Sequence, residues 1–253
     1  MVDVRLGLTA HGAAGGMAGG STGEPRPVPQ QEEHRREIAR LLEQGRQERE
    51  AGALERAEDC YWSALDLAIQ YGSRRQEGWA WDGLGSCRAR QGDHGMALRF
   101  FTPADRLADE TGDTPLKVWC LHNFGFCHRE RGDVPLAQDY FEQCVEMAEA
   151  NKCHEAAGWT YHQLAELARA ESDARREQQH YAAAAQAGLA SGDDTLAGWS
   201  LFHAARCAEA SGDLFTANKQ YTHAAKIGTR SNPEMLRQAT EGLARTIPQP
   251  ASD

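Results

Sequence analysis

Trp79, Trp119, Trp159 and Trp199 recur at a constant interval of about 40 residues, a period that belongs to stacked arrays of helical units. The column two residues further on reads Trp81, Leu121, Tyr161 and Leu201 and is only large and apolar. Two columns within one helical turn obey different rules, so they face different surroundings.

Each unit breaks at the same two places. The first break reads "QGD" at Gln91, "RGD" at Arg131, "ESD" at Glu171 and "SGD" at Ser211. A glycine there supplies the left-handed residue that ends one helix, and the aspartate accepts the free amides that open the next. The second break, between units, reads "TGD" at Thr111, "SGD" at Ser191 and "SNP" at Ser231, while the third unit departs with "NKC" at Asn151. Within each second helix, Ala97, Ala137 and Ala217 align. So do Phe101, Phe141, Tyr181 and Tyr221, and then Ala104, Cys144, Ala184 and Ala224. Small residues let helices approach closely while the aromatic one turn on fills the gap, the pattern of a stacked-helix core.

The order Leu84-Gly85, Gly92-Asp93, Ala97, Phe101, Ala104 resembles the tetratricopeptide repeat in its longer form. The resemblance implies an all-α, right-handed superhelix (an α-solenoid) of about five helical hairpins with a C-terminal capping helix. The expected organisation is a disordered Gly/Pro-rich leader over 1–31 and a solenoid over 32–247. Its repeats are at about 33–76, 77–116, 117–156, 157–196 and 197–233, its cap is at 234–246, and a disordered tail covers 248–253. The first repeat is the weakest match and rests on Gly45, Gly52, Ala57, Tyr61 and Ala64. The long repeats are similar to those of Rap-type peptide-sensing proteins and of antibiotic-regulatory and nucleotide-binding signalling ATPases. Those proteins carry an effector domain that this sequence lacks, so the resemblance implies action alone, in trans or as an adaptor.

The family pattern places Trp81, Leu121, Tyr161 and Leu201 in the core. The repeated tryptophan lies about 200° away around the helix and cannot share that face. The resemblance puts it on the concave groove, where helical spacing gives the stripes Trp79-Asp82, Trp119-His122-Phe126-Arg129, Trp159-His162-Glu166-Arg169 and Trp199-Phe202-Arg206. Such a ledge suits a ligand with apolar and charged parts, with arginines meeting carboxylates and His122 and His162 making affinity depend on pH near neutrality. A second reading has the same tryptophans clamp one unit to the next.

His122, His162 and Glu166 are also the only set in the groove that suggests catalysis or metal binding, as a facial triad of two histidines and a carboxylate. Neighbouring residues on a helix point about 100° apart, so Cys127-His128 cannot chelate. Cys153-His154, in the irregular turn of the third unit, has no second pair beside it. Phosphate loops, dinucleotide fingerprints and nucleophile elbows are absent, and no cofactor is called for. The charge-rich segments 32–50 and 172–180 read as solvated helix faces.

The formal net charge of -10 argues against nonspecific nucleic-acid or anionic-membrane partners. No apolar run is long enough to span a bilayer, and Asp3 and Arg5 interrupt the N-terminus where a signal peptide would be apolar. Seven cysteines, several in one helix column, read as buried thiols in a reducing, cytoplasmic setting. The expected function is a peptide- or protein-binding adaptor that uses the groove. The alternatives are a small-molecule enzyme or ligand-binding protein with its site in the same groove, and a structural oligomer.

Overall fold

The computed structural model describes residues 28–246. The expected leader and tail therefore lie outside the described residues, except for 28–31, which belong to the first helix. Among the described residues there are eleven helices and no strand. They pair into five antiparallel hairpins. These are α1 (Val28–Glu50) with α2 (Leu54–Tyr71), α3 (Arg74–Arg90) with α4 (His94–Thr111), and α5 (Thr114–Glu130) with α6 (Val134–Ala150). Then come α7 (His154–Ala170) with α8 (Ala174–Ser191), α9 (Asp194–Ala210) with α10 (Leu214–Ser231), and a last helix, α11 (Pro233–Thr246). The odd-numbered helices touch one another from hairpin to hairpin, whereas the even-numbered ones do not. The odd helices thus form the inner, concave wall of a right-handed superhelix, and the even helices splay apart on the outside.

The turns follow from local chemistry. Gly92 and Gly132 take φ of 82° and 83°, a region a side chain resists. Asp93, Asp173 and Asp213 then cap the next helix, each with Oδ1 accepting the amide three residues on at 3.0 Å. Asp133, expected to do the same, makes no such bond; its carboxylate is turned toward His128 Nδ1 at 3.8 Å. The "SNP" break also differs. Asn232 is extended rather than left-handed, and its side chain caps α11 through the amides of Glu234 and Met235 at 3.0 Å.

Each outer helix presses one buried aromatic ring onto a small residue of the wall. A Cβ added at Gly85 would lie 2.5 Å from Phe101, and one at Gly125 would lie 2.6 Å from Phe141. Tyr61 packs in the same way on Gly45, and Tyr221 on Gly242 of the capping helix. The Ala97, Ala137 and Ala217 column and the Ala104, Cys144, Ala184 and Ala224 column are buried throughout.

The column of Trp81, Leu121, Tyr161 and Leu201 is core only in part. Leu121 and Leu201 are buried, whereas Trp81 and Tyr161 are half-buried at the floor of clefts between the splayed outer helices. Trp81 meets Trp62 and Phe100 there at 5.8 and 5.7 Å between ring centroids.

Two turns run through the left-handed region without glycine, at Lys152 (φ 57°) and Ser172 (φ 60°). Replacing either with glycine is expected to raise stability by about 1 kcal/mol. Gly125→Val, which drives a side chain into Phe141, is expected to lower it by about 2 kcal/mol. Urea midpoints at constant m-value check both.

Candidate groove on the concave wall

Helical spacing turns three of the four tryptophan stripes into ring pairs. Trp119 meets His122 at 5.5 Å, Trp159 meets His162 at 6.2 Å and Trp199 meets Phe202 at 5.8 Å, all edge-to-face. All four tryptophans are half-buried. Trp79 is a clamp: its Nε1 donates to Asp113 Oδ2 at 2.9 Å across the junction to the next hairpin. The buried Asp113 also pairs with Arg75 at 2.6 Å, so the tryptophan helps to satisfy a carboxylate taken out of water.

Much of the groove's polar set is spent on bonds within and between hairpins. Asp82 is buried, accepts from Asn123 Nδ2 at 2.8 Å, and burial raises its pKa to about 6, against the pull of Arg49 and Asn123. Arg129 bonds Gln163 and Glu130 and lies 5.3 Å over the Phe126 ring. Glu166 accepts from the Tyr181 hydroxyl and pairs with Arg169, and one hairpin later Glu209 accepts from Tyr221 at 2.7 Å and pairs with Arg245. Phe202 is buried against Tyr221. Arg206 is exposed and makes no ion pair among the described residues.

His122 is buried, with Nδ1 2.9 Å from Thr160 Oγ1, and Thr160 in turn donates to the Ala156 carbonyl. Burial, with Arg129 nearby, lowers the His122 pKa to about 4. This histidine is a packing residue and does not titrate near neutrality. The triad expected of His122, His162 and Glu166 does not form, because Thr160 takes the first and Tyr181 and Arg169 take the last. Among the described residues, no three His, Cys, Asp or Glu side chains come together for a metal. Cys153 is half-buried, and burial raises its thiol pKa.

His162 is the unspent member. Its Nδ1 is buried with no hydrogen-bond partner, and burial lowers its pKa. Its ring stands 5.3 Å from Tyr181 and 6.0 Å from His203, and His203 stacks on Tyr181 at 4.9 Å. Sequence reasoning missed His203, whose column reads Gly83, Asn123, Gln163 and His203. A signal was present in the switch from Phe101 and Phe141 to Tyr181 and Tyr221, in the same hairpins that carry Glu166 and Glu209. Burial, then His162, lowers the His203 pKa to about 4.

Glu155, at the start of α7, is solvent-accessible yet enclosed by protein. That enclosure and Asp193 raise its pKa while the charges of Arg46, Glu50 and Arg49 on α1 reach it from three hairpins away.

The same architecture is found among solved structures. BtubC from P. vanneervenii is 18% identical, with 87% of this chain and 96% of that one aligned and a TM-score of 0.58. A Rap protein, in complex with Competence and Sporulation Factor, is 15% identical over 85% of this chain and 66% of its own, with a TM-score of 0.61. A signal transduction ATPase with a tetratricopeptide-repeat sensor, from Pyrococcus horikoshii, gives 15% identity and 0.62 over 83% of this chain. The fold is that of the tetratricopeptide-repeat superhelix. This chain spans 33% of the ATPase, so the likeness covers the repeat architecture and not the whole protein. No family model matches the sequence, and neither does any curated protein. Within the tetratricopeptide-repeat frame, no helix among the described residues is long and apolar enough to cross a membrane.

The buried histidines set the response to acid. The folded pKa values of His122 and His203 lie near 4, below an unfolded value of about 6.5, so the unfolded chain binds more protons between these limits. Stability is therefore lost as pH falls from 7 to 5, by about 2 kcal/mol per histidine, and Asp82, shifted upward, returns about 1 kcal/mol. Thermal melts across this window check the slope, which is expected to flatten in His122→Gln and to steepen in Asp82→Asn.

Proposed function

We propose that the protein binds a peptide or a flexible segment of a partner protein along the concave wall, over α5, α7 and α9. The observation that carries this reading is the run of half-exposed rings at Trp119, Trp159 and Trp199 on successive inner helices, each backed edge-on by the residue three further on. Trp79, equally half-buried, spends its indole N–H on the Asp113 clamp, whereas those of Trp119, Trp159 and Trp199 make no hydrogen bond among the described residues and stay open to a ligand. Arg206 beside them is exposed and without an ion pair among the described residues, and Arg169 is exposed although paired with Glu166; both carry donors toward ligand carboxylates. The unpartnered Nδ1 of His162, whose ring meets Trp159, adds a free polar atom beside the rings. A Rap protein of this fold was solved in complex with Competence and Sporulation Factor, which accords with the reading.

In this reading the apolar groups of the ligand lie on the tryptophan ledge and its carboxylates meet Arg169 and Arg206. Peptides selected from a displayed random library by the purified protein are expected to be aromatic or aliphatic and acidic. Arg169→Glu with Arg206→Glu is expected to weaken them at least tenfold, with far-ultraviolet circular dichroism unchanged. Selected peptides that bind the charge-reversed protein as tightly as the original would remove the groove from the binding surface.

A further inference from the structure

A cleft lies on the outer face, away from the tryptophan ledge. It is an open cavity of about 930 Å³ between α4 and α6, floored by α5. Its size is that of pockets that take small organic ligands. The equivalent gap one hairpin earlier is filled by Trp62, Trp81 and Phe100 packed on one another. In this hairpin Leu121 and Thr102 stand where Trp81 and Trp62 stand in the one before, and the shorter side chains leave the space open.

The lining is of two kinds. Phe124 and Tyr140, at 5.3 Å, and His128, stacked on Tyr140 at 5.6 Å, make a continuous aromatic surface, and Leu98 and Met147 extend it. The charged groups are mainly acidic. Lys117 is already held between Asp105 at 2.9 Å and Asp109 at 2.8 Å, so its charge is neutralised within the protein. Burial works against the Lys117 ammonium, but hydrogen bonds to Asp109 and Asp105 outweigh it and hold the pKa above the ordinary value. The Glu146 carboxylate, exposed on the α6 side, has no ion-pair partner among the described residues. An aromatic surface beside an unpaired carboxylate favours an organic cation, through ring quadrupole and charge together. The formal net charge of -10 draws cations to the surface in the same sense.

We propose that this outer cleft is a second binding site, independent of the concave groove, for a small amphipathic ammonium compound. Its apolar part rests on Phe124, Tyr140 and Leu98, and its ammonium lies against Glu146.

The test uses the whole chain and three probes of similar size: 2-phenylethylammonium, 2-phenylethanol and 3-phenylpropanoate. Each is titrated into labelled protein and followed by backbone amide shifts. The ammonium is expected to bind at least tenfold tighter than the alcohol or the acid, with shifts confined to α4, α5 and α6. Glu146→Gln is expected to weaken it about tenfold, and Glu142→Gln, an exposed change on the same helix outside the cleft, to leave it unchanged. Leu98→Lys, which puts a built-in ammonium into the cleft, is expected to abolish binding while the other helices keep their spectrum. Equal affinity for the three probes, shifts on another face, or equal losses in the Glu146 and Glu142 variants would overturn the proposal.

Discussion

The contact between one aromatic ring per outer helix and one small residue per inner helix governs this molecule. Phe101 on Gly85 and Phe141 on Gly125 leave no room for a Cβ, so the two helices of a hairpin stay at a fixed close distance. The spacing of inner and outer helices then differs systematically, and a stack of such units has to curve. The concave wall, its tryptophan ledge and the outer clefts are all consequences of that curvature. Each ring is buried and contributes roughly 2 kcal/mol by burial alone, so the contact that sets the geometry also adds to the stability.

Most of this architecture was legible in the sequence because a repeat prints each structural requirement several times. The columns of Ala97, Phe101 and Ala104 and the Gly-Asp breaks predicted helices, turns and core, and the buried residues agree with them. What escaped were features that depend on how far helices splay. Trp81, Leu121, Tyr161 and Leu201 share a column, yet Trp81 fills the gap beside it with Trp62 and Phe100 whereas the shorter Leu121 leaves the next gap open. Asp133 sits in the capping register, yet it turns to His128, a choice between two nearby partners that spacing alone does not decide.

The groove was legible at the level of stripes but not at the level of partners. Helical spacing paired each tryptophan with the residue three further on, and three of those pairs are ring contacts. It could not foresee that His122 would be sealed against Thr160, or that Glu166 would be taken by Tyr181, since both partners come from other helices. The metal triad failed for that reason. The column of His203 holds four unrelated residue types and gave no signal of its own; only the switch to Tyr181 hinted at it, and its surroundings appear once Tyr181 is placed against it.

Helices of the described structure touch only neighbours and next neighbours along the stack, even though α1 and α7 sense each other's charge across the wall. Such an object is mechanically a spring. A small rotation at each hairpin interface adds along the stack, so the distance between the first and fourth hairpins magnifies it. Force or ligand applied to one hairpin is thereby converted into a change of aperture at another, without any single interface being broken.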